Sequence, residues 1–444
     1  MTKPVKRRAV NAKINHMDTC KCIHSISEKH SVNIILMLAA AIMSLLILIL
    51  LPPDSAAQES EVGEVLKSHR YSFTVNDEGL HGPGGQWLLD RARNARYTLI
   101  GESHHNAETP FLTRALLTDL KSAGYSAYVV ESGPESTRLL MNTVAREGIE
   151  EGMSVLKRFP FSIAFLDQRE ELQTAAEALD LGYEVLGIDQ EFVGSPRLLL
   201  HRLLELSPEA DHRARIEELI NREMAAIERF MENEDQSGAF MFSASEDVFD
   251  TLAAAFPDPE SEGARIVSQL RASAGIYRAF SEGRYYDNNA GRVELIKRNF
   301  LTYLRQPGEV LPDRRAVIKM GAVHSGRGRT PMHVYDIGNF AAELAFAQGD
   351  ESFHVLVLAA GSVQADGTFV SWRERFPHLV PVFDLVPDES PVAFDLRPLR
   401  AHLTQKNDKT QELQDLQDIV LRYDALIMYP RFSPSSPVAG MPGR

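Results

Sequence analysis

Tyr97-Thr98-Leu99-Ile100-Gly101-Glu102-Ser103-His104-His105 is the stretch on which the reading of this chain turns. A short apolar run of strand-forming residues ends at a glycine, a carboxylate and two imidazoles. Strand-length apolar runs bounded by Gly predict a buried strand. In open α/β sheets the reactive groups collect where strand C-termini meet their loops. Glu102, His104 and His105 therefore supply an acid/base set or metal ligands within one turn of chain.

Other stretches repeat the pattern. Glu108 to Ser122 predicts a helix with Phe111, Leu112, Leu116, Leu117 and Leu120 on one face, stopped by Gly124. Tyr125 to Val130 then predicts a second strand that ends at Glu131. After two further helices, Tyr183 to Ile188 predicts a third strand ending at Asp189. Ala316 to Val323 predicts a fourth, ending at His324, with the basic turn Gly326-Arg327-Gly328-Arg329 behind it as an anion cradle. Phe353–Ala360 and Tyr423–Tyr429 predict two more strands. Strands alternating with helices imply an α/β fold with a mostly parallel central sheet flanked by helices. Parallel strands would bring their carboxylate and histidine tips to one edge.

Residues 195–306 break the alternation. They are charged, helical in period and poor in strand signals, and predict a large helical insertion capping the C-terminal edge of the strands. Within it, Arg292 and Asn299 are seven apart and so share a helix face.

The chain has 444 residues, 44% hydrophobic and 24% charged, which is ordinary globular composition. A formal net charge of −14 argues against nucleic acid as a partner, because phosphate binding needs a basic face. Residues 1–33 form a basic leader, and 34–51 an apolar run interrupted only by Ser44. At ~1.5 Å per residue such a run reaches ~27 Å, close to a hydrocarbon core. The expectation is a single-pass membrane protein with a cytoplasmic N-terminus and an extracytoplasmic domain. Ser55-Ala56-Ala57 keeps open the alternative of a signal peptide cleaved near Ala57, giving a secreted or periplasmic protein. Residues 52–70 read as a linker, 71–432 as the catalytic domain and 433–444 as a disordered Pro/Ser/Gly-rich tail. Cys20 and Cys22 both precede the apolar run, so no disulfide is expected beyond it.

Two chemistries suit Glu102, His104, His105, Glu131, Asp189 and His324. In one, a His/Glu cluster activates water as general base. In the other, His104, Glu102, Glu131 and His324 hold a divalent metal, Mn or Zn, that acidifies water. No Gly-x-Ser-x-Gly elbow is present, which leaves a serine nucleophile without a motif.

These residues resemble a known family. Gly101-Glu102-Ser103-His104-His105 followed by Glu131 is similar to the opening motif of the erythromycin esterase-like family, within the Tiki/TraB/ChaN-like superfamily. Gly187-Ile188-Asp189, the Arg-x6-Asn helix Arg292 to Phe300, Gly321-Ala322-Val323-His324 and Tyr423-Asp424-Ala425-Leu426-Ile427 resemble its later motifs, over roughly residues 95 to 430. The resemblance implies a hydrolase with a histidine base beside glutamates, acting on an ester, lactone or amide in a small-molecule or peptide substrate. It implies catalytic roles for Glu102, His104, His105, Glu131 and His324, and substrate-binding or orienting roles for Asp189, Arg292 and Asn299. Arg327 joins the substrate-binding group from its basic turn. Esterase members open macrolide lactones, Tiki members resemble metal-dependent proteases, and ChaN-like members bind haem without catalysis, so these alternatives stay open. The esterase pattern selects His105 and expects Gly after it, where this chain has Asn106; the Tiki pattern selects His104.

Overall fold

The structure is a computed structural model that describes residues 54–207, 209–233, 235–305, 308–310, 313–404 and 410–439. One compact unit spans Gln58 to Arg444. The expected leader and apolar run fall outside the described residues. Among the described residues no helix is long and apolar enough to cross a membrane. The single-pass placement expected from sequence is corrected on that finding.

Eight strands build the central sheet: β1 (Arg70–Ser72), β2 (Ala95–Glu102), β3 (Tyr125–Val130), β4 (Glu184–Gly187), β5 (Arg315–Gly321), β6 (Glu351–Ala359), β7 (Val392–Asp395) and β8 (Ala425–Tyr429). Their order is β1-β7-β8-β6-β2-β5-β3-β4. From β8 to β4 every neighbour pair is parallel, and β7 alone runs against its neighbours β8 and β1. The mostly parallel α/β sheet flanked by helices is thus present. Two strands toward one edge, β1 and β7, were not expected, because runs of three and four residues carry too little periodicity to read.

β2 shows why this stretch becomes the central strand. Successive side chains point to opposite faces. Tyr97 and Leu99 pack with Ile296 and Phe300 of the helix Tyr285–Leu304 and with Ile337 and Leu344. Ile100 packs on the other face with Leu112, Leu116 and Leu120 of the helix Glu108–Lys121. A strand covered on both faces needs a near-continuous apolar sequence, which this one has. Thr98 is buried, and its hydroxyl is 2.8 Å from the Tyr125 hydroxyl.

The insertion folds as expected into helices, chiefly Ser195–Leu206, Ala210–Asn233, Glu246–Ala254, Glu262–Ser281 and Tyr285–Leu304. Its outer part has its own core of Leu199, Leu203, Phe249, Ile266 and Leu270. Tyr285–Leu304 is the helix that returns to the sheet.

Two expectations for the flanks are corrected. The stretch read as a linker contains a helix, Asp54–Ser68, because Val62 and Leu66, four apart, bury one face against Leu399 and Phe394. The tail read as disordered is ordered to residue 439. It threads past the β2 tip, where Ala107 N–H donates to Ser433 O at 3.0 Å and Ser435 N–H to His105 O at 3.1 Å. Arg169 N–H then donates to Ser436 O at 2.7 Å, and Val438 is buried in the main core.

Candidate active site

The sheet order sets β2, β5, β3 and β4 side by side, so their C-terminal tips form one edge. Glu102 ends β2 and pairs in register with Gly321, the last residue of β5. Glu131 follows β3 and Asp189 lies two residues beyond β4. His324 does not end β5 as expected. It sits in the single helical turn Ala322–Ser325 that follows.

Two carboxylate–imidazole pairs flank Glu131. His104 Nδ1 is 3.1 Å from Glu102 Oε1, and its Nε2 is 3.6 Å from Glu131 Oε2. His324 Nδ1 is 2.7 Å from Asp336 Oδ2, and its Nε2 is 3.5 Å from Glu131 Oε1. Gly321 N–H donates to Glu131 Oε2 at 2.5 Å. A side chain at Gly321 would collide there, its Cβ falling 2.7 Å from His104 Nε2. The glycine is what lets the two reactive groups lie over the strand end.

Cations brace the carboxylates. Arg292 Nη2 donates to Glu131 Oε1 at 2.9 Å, Nε donates to Asp189 Oδ1 at 2.8 Å, and Nη2 also contacts Asp189 Oδ2. Lys319, buried in β5, donates to Glu102 Oε1 at 2.6 Å and to Glu171 Oε1 at 2.5 Å.

These contacts set the protonation states. Burial works against charge on Glu131, but His324, Arg292, His104 and the Gly321 N–H together hold its carboxyl at about 2. Burial likewise opposes charge on Glu102, and Lys319 and His104 outweigh it and lower its pKa. Both histidines move up despite burial: His104 through Glu102 and Glu131, His324 through Glu131 and Asp336 against the opposing Arg292 charge. Glu171 goes the other way, pushed up to about 7 by burial while Lys319 resists.

His105 takes a different position. Its backbone is left-handed at φ 63, a conformation that costs roughly 1–2 kcal/mol outside glycine. Asn106 stabilises the turn, its amide donating to Ser103 O at 2.5 Å and its Oδ1 accepting from Thr109 N–H at 2.7 Å. The His105 ring is exposed and makes no hydrogen bond to the glutamates, and burial with the nearby His104 charge lowers its pKa. Of the two histidines, the structure brings His104 to Glu131. Phe165 stacks on the His104 ring at 4.1 Å between centroids.

Two expected residues act elsewhere. Asn299 is buried, donates to Ile188 O at 3.0 Å and accepts from Gln269 Nε2 at 2.9 Å, so it braces the backbone before Asp189. Arg327 is not in the cluster. The turn after Gly326 carries it to the opposite edge of the sheet, where it donates to Asp424 Oδ2 at 2.7 Å and to Ser352 O at 2.9 Å.

Lys319, Asp336, Glu171 and Phe165 were missed. A lysine within the apolar run Ala316–Gly321 was a readable signal, since an unpaired charge is not left in a buried strand. Asp336 precedes an apolar helix and reads as its cap, which it is: Oδ1 accepts Ile337 N–H at 2.7 Å while Oδ2 holds His324.

Among the described residues no group of three or more His, Cys, Asp or Glu could hold a metal ion. Both Glu131 oxygens and Glu102 Oε1 already serve Arg292, Lys319 and Gly321 N–H, while Glu102 Oε2 is buried with no hydrogen-bond partner. Haem ligation by His104 or His324 would require breaking contacts, because each of these two turns both ring nitrogens to a carboxylate.

No family model matches the sequence, and no curated protein matches it. Solved structures do match. A Bacillus cereus protein superposes with TM-score 0.54 at 12% identity, over 85% of this chain and 99% of that one. A succinoglycan biosynthesis protein gives 0.52 at 10% identity, over 85% and 98%. An erythromycin esterase, a mutant of EreC in its open conformation, gives 0.51 at 13% identity, over 80% and 95%. At such identities the likeness is one of fold, and the fold is that of an erythromycin esterase.

Proposed function

We propose that this chain is a hydrolase of the erythromycin esterase-like superfamily that cleaves an ester, lactone or amide with histidine-activated water. The observation that carries the reading is the symmetric pair of dyads, Glu102–His104 and Asp336–His324, set on the two oxygens of Glu131 at 3.6 and 3.5 Å. A carboxylate on Nδ1 fixes the tautomer that leaves Nε2 for proton transfer.

In this reading His104 Nε2 takes a proton from water, and the hydroxide oxygen bonds to the substrate carbonyl carbon. Glu102 steadies the imidazolium that forms. The side chain of Arg292 is a quarter exposed and offers its guanidinium to the developing oxyanion. His324, the more buried imidazole, gives its proton to the leaving oxygen or nitrogen as the carbon–heteroatom bond breaks. Glu131 stays ionised throughout and holds both imidazoles in place. Lys319 keeps Glu102 charged and fixed.

The purified protein would be assayed on panels of esters, lactones and amides beside His104→Ala. Turnover that disappears in the variant is expected. Absence of turnover on every panel, or equal turnover by the two proteins, would overturn the reading. A Soret band on haem titration that disappears in His104→Ala would favour the haem-binding alternative.

A further inference from the structure

The backbone is strained beside His104 in a way that the proposed chemistry does not use. Among the described residues four non-glycine residues have a left-handed φ: His105, Phe161, Phe165 and His333. Two of the four, His105 and Phe165, carry rings that meet His104, at 6.3 and 4.1 Å between centroids. A positive φ is uncommon for any residue with a Cβ and is an outlier for a bulky one. Phe165, at φ 62, is the centre of a three-residue turn that Leu166 N–H closes on Ala164 O at 2.7 Å. The positive-φ form of such a turn is rare and strained. The surroundings hold it in place. Ser132, next to Glu131, donates its hydroxyl to Ala164 O at 2.5 Å, and the Ser195 hydroxyl donates to Ser162 O at 2.7 Å. Gln168 N–H donates to Phe165 O at 2.9 Å, and Val438 N–H to Asp167 O at 2.8 Å. Ile163 and Leu166 anchor the loop in the main core.

We propose that Phe165 is a positioning residue for the His104 base, its strained turn laying the phenyl ring flat on the imidazole so that Nε2 stays aimed at Glu131. The proposal rests on the hydrolase reading, in which His104 takes the proton. Burial of the phenyl ring does not account for the strain. Phe165 is only half-buried, and its ring goes to the two histidines, at 4.1 Å and 18° between planes on His104 and at 5.9 Å on His105. Glu102 and Glu131 reach His104 at its two nitrogens and so hold the ring along its own plane. A flat contact on the face is what resists tipping out of that plane, and Phe165 supplies it. Strained residues persist where the surrounding structure fixes them, and they cluster at active sites because there the strain serves pre-organisation.

Phe165→Ala, Phe165→Gly and Phe165→Tyr in the full chain test this. Glycine is ordinarily less stable than alanine at a fixed position, because it loses more freedom on folding. At a strained positive φ the order reverses, so the Tm of Phe165→Gly should exceed that of Phe165→Ala. Both should lose kcat about tenfold or more on whichever ester, lactone or amide the wild type turns over, with KM within about twofold, as a misaimed base requires. Phe165→Tyr keeps the ring and should keep the wild-type kcat. In NMR spectra the carbon-bound imidazole protons of His104 should lie upfield under the Phe165 ring current and move downfield in both truncations. Phe165→Ala as stable as Phe165→Gly, unchanged kcat in either, a Phe165→Tyr as slow as Phe165→Ala, or an imidazole resonance that does not move would overturn the proposal. If neither truncation folds, the wild-type resonance decides, and its absence from the upfield region counts against the stacked ring. A wild type without turnover on any panel would remove the hydrolase reading alone, since the order of Tm values and the imidazole shift do not depend on hydrolysis.

Discussion

Two buried clusters of charge sit at opposite edges of one sheet, and their histidines behave oppositely. At the C-terminal edge, His104 and His324 face Glu102, Glu131 and Asp336, and both are pushed toward the protonated form. Toward the N-terminal edge, His354, the fourth residue of β6, lies beside Arg327 and Asp424. Burial first, then the Arg327 charge, pushes it down to about 3. Its ring nitrogens are spent on Ser325 O at 2.7 Å and on the Ser352 hydroxyl at 2.9 Å. Asp424 accepts from Arg327, from Arg400 at 2.8 Å and from His354 N–H at 2.9 Å, and Arg327 and His354 hold it at about 2 against burial. Both clusters are dense with ions. One sets its histidines among carboxylates beside a partly exposed arginine, and the other sets its histidine beside an arginine. Buried charge alone therefore does not distinguish the two clusters; the direction in which it moves its histidines does.

The largest contrast should come from breaking each cluster at its centre. His104→Ala is expected to lower kcat for ester hydrolysis about 10²–10⁴-fold. Asp424→Ala should leave kcat per folded molecule unchanged and cost about 3–5 kcal/mol, because Arg327 and Arg400 lose a buried partner. Steady-state kinetics and urea melts on both proteins check this pair. A fall in kcat for Asp424→Ala equal to that for His104→Ala would erase the distinction.

Lys319→Met joins the two behaviours at one residue. It strands Glu102 and Glu171 without their shared cation, so a loss of about 3 kcal/mol should accompany a lower kcat. Denaturant midpoints and turnover measured on the same preparation check it.

The pH dependences should also diverge. With raised folded pKa values, His104 and His324 contribute stability that is complete below ~6.5 and lost as pH rises through their folded values. A neutral His104 base makes activity fall as pH drops through a value above ~6.5. His354 has the opposite sign: the unfolded chain binds its proton first, so stability falls as pH drops from ~6.5 toward 3. Glu131, at about 2, contributes stability that is lost as pH falls below ~4.3. Titration of the imidazole resonances by NMR separates the three histidines, and a His354 midpoint near ~6.5 would contradict the contrast.

The smallest effect should follow deletion of residues 433–444. This strap positions the His104–His105 turn through Ser433 and Ser435, and its backbone bonds also reach Arg169. A loss of about 1 kcal/mol, or ~2–4 °C in Tm, is expected, with faster amide exchange at Ala107 and Arg169.

Much of this was legible along the chain. The strands β2, β3, β5 and β8, the capping helices and the carboxylate tips follow from local periodicity, and parallel order then requires those tips to share an edge. Arg292 stood out through the resemblance of Arg292 to Phe300 to an Arg-x6-Asn helix, since its spacing alone fits an ordinary exposed helix, and Asn299 proved to hold Ile188 rather than face the cluster. Arg327 misled because a basic glycine-rich turn looks alike whichever edge it reaches.

What the sequence alone determined is the fold class and the chemistry-bearing tips, because side-chain period and strand ends are local properties. What only the tertiary structure decided is the pairing. Gly101-Glu102-Ser103-His104-His105 offers two histidines with equal claim. The left-handed turn at His105, pinned by Asn106 and by Ser435 from the far end of the chain, aims His104 at Glu131 and leaves His105 outside. The partners that brace Glu102 and His324, Lys319 and Asp336, lie 217 and 12 residues away and meet them only once the sheet is assembled.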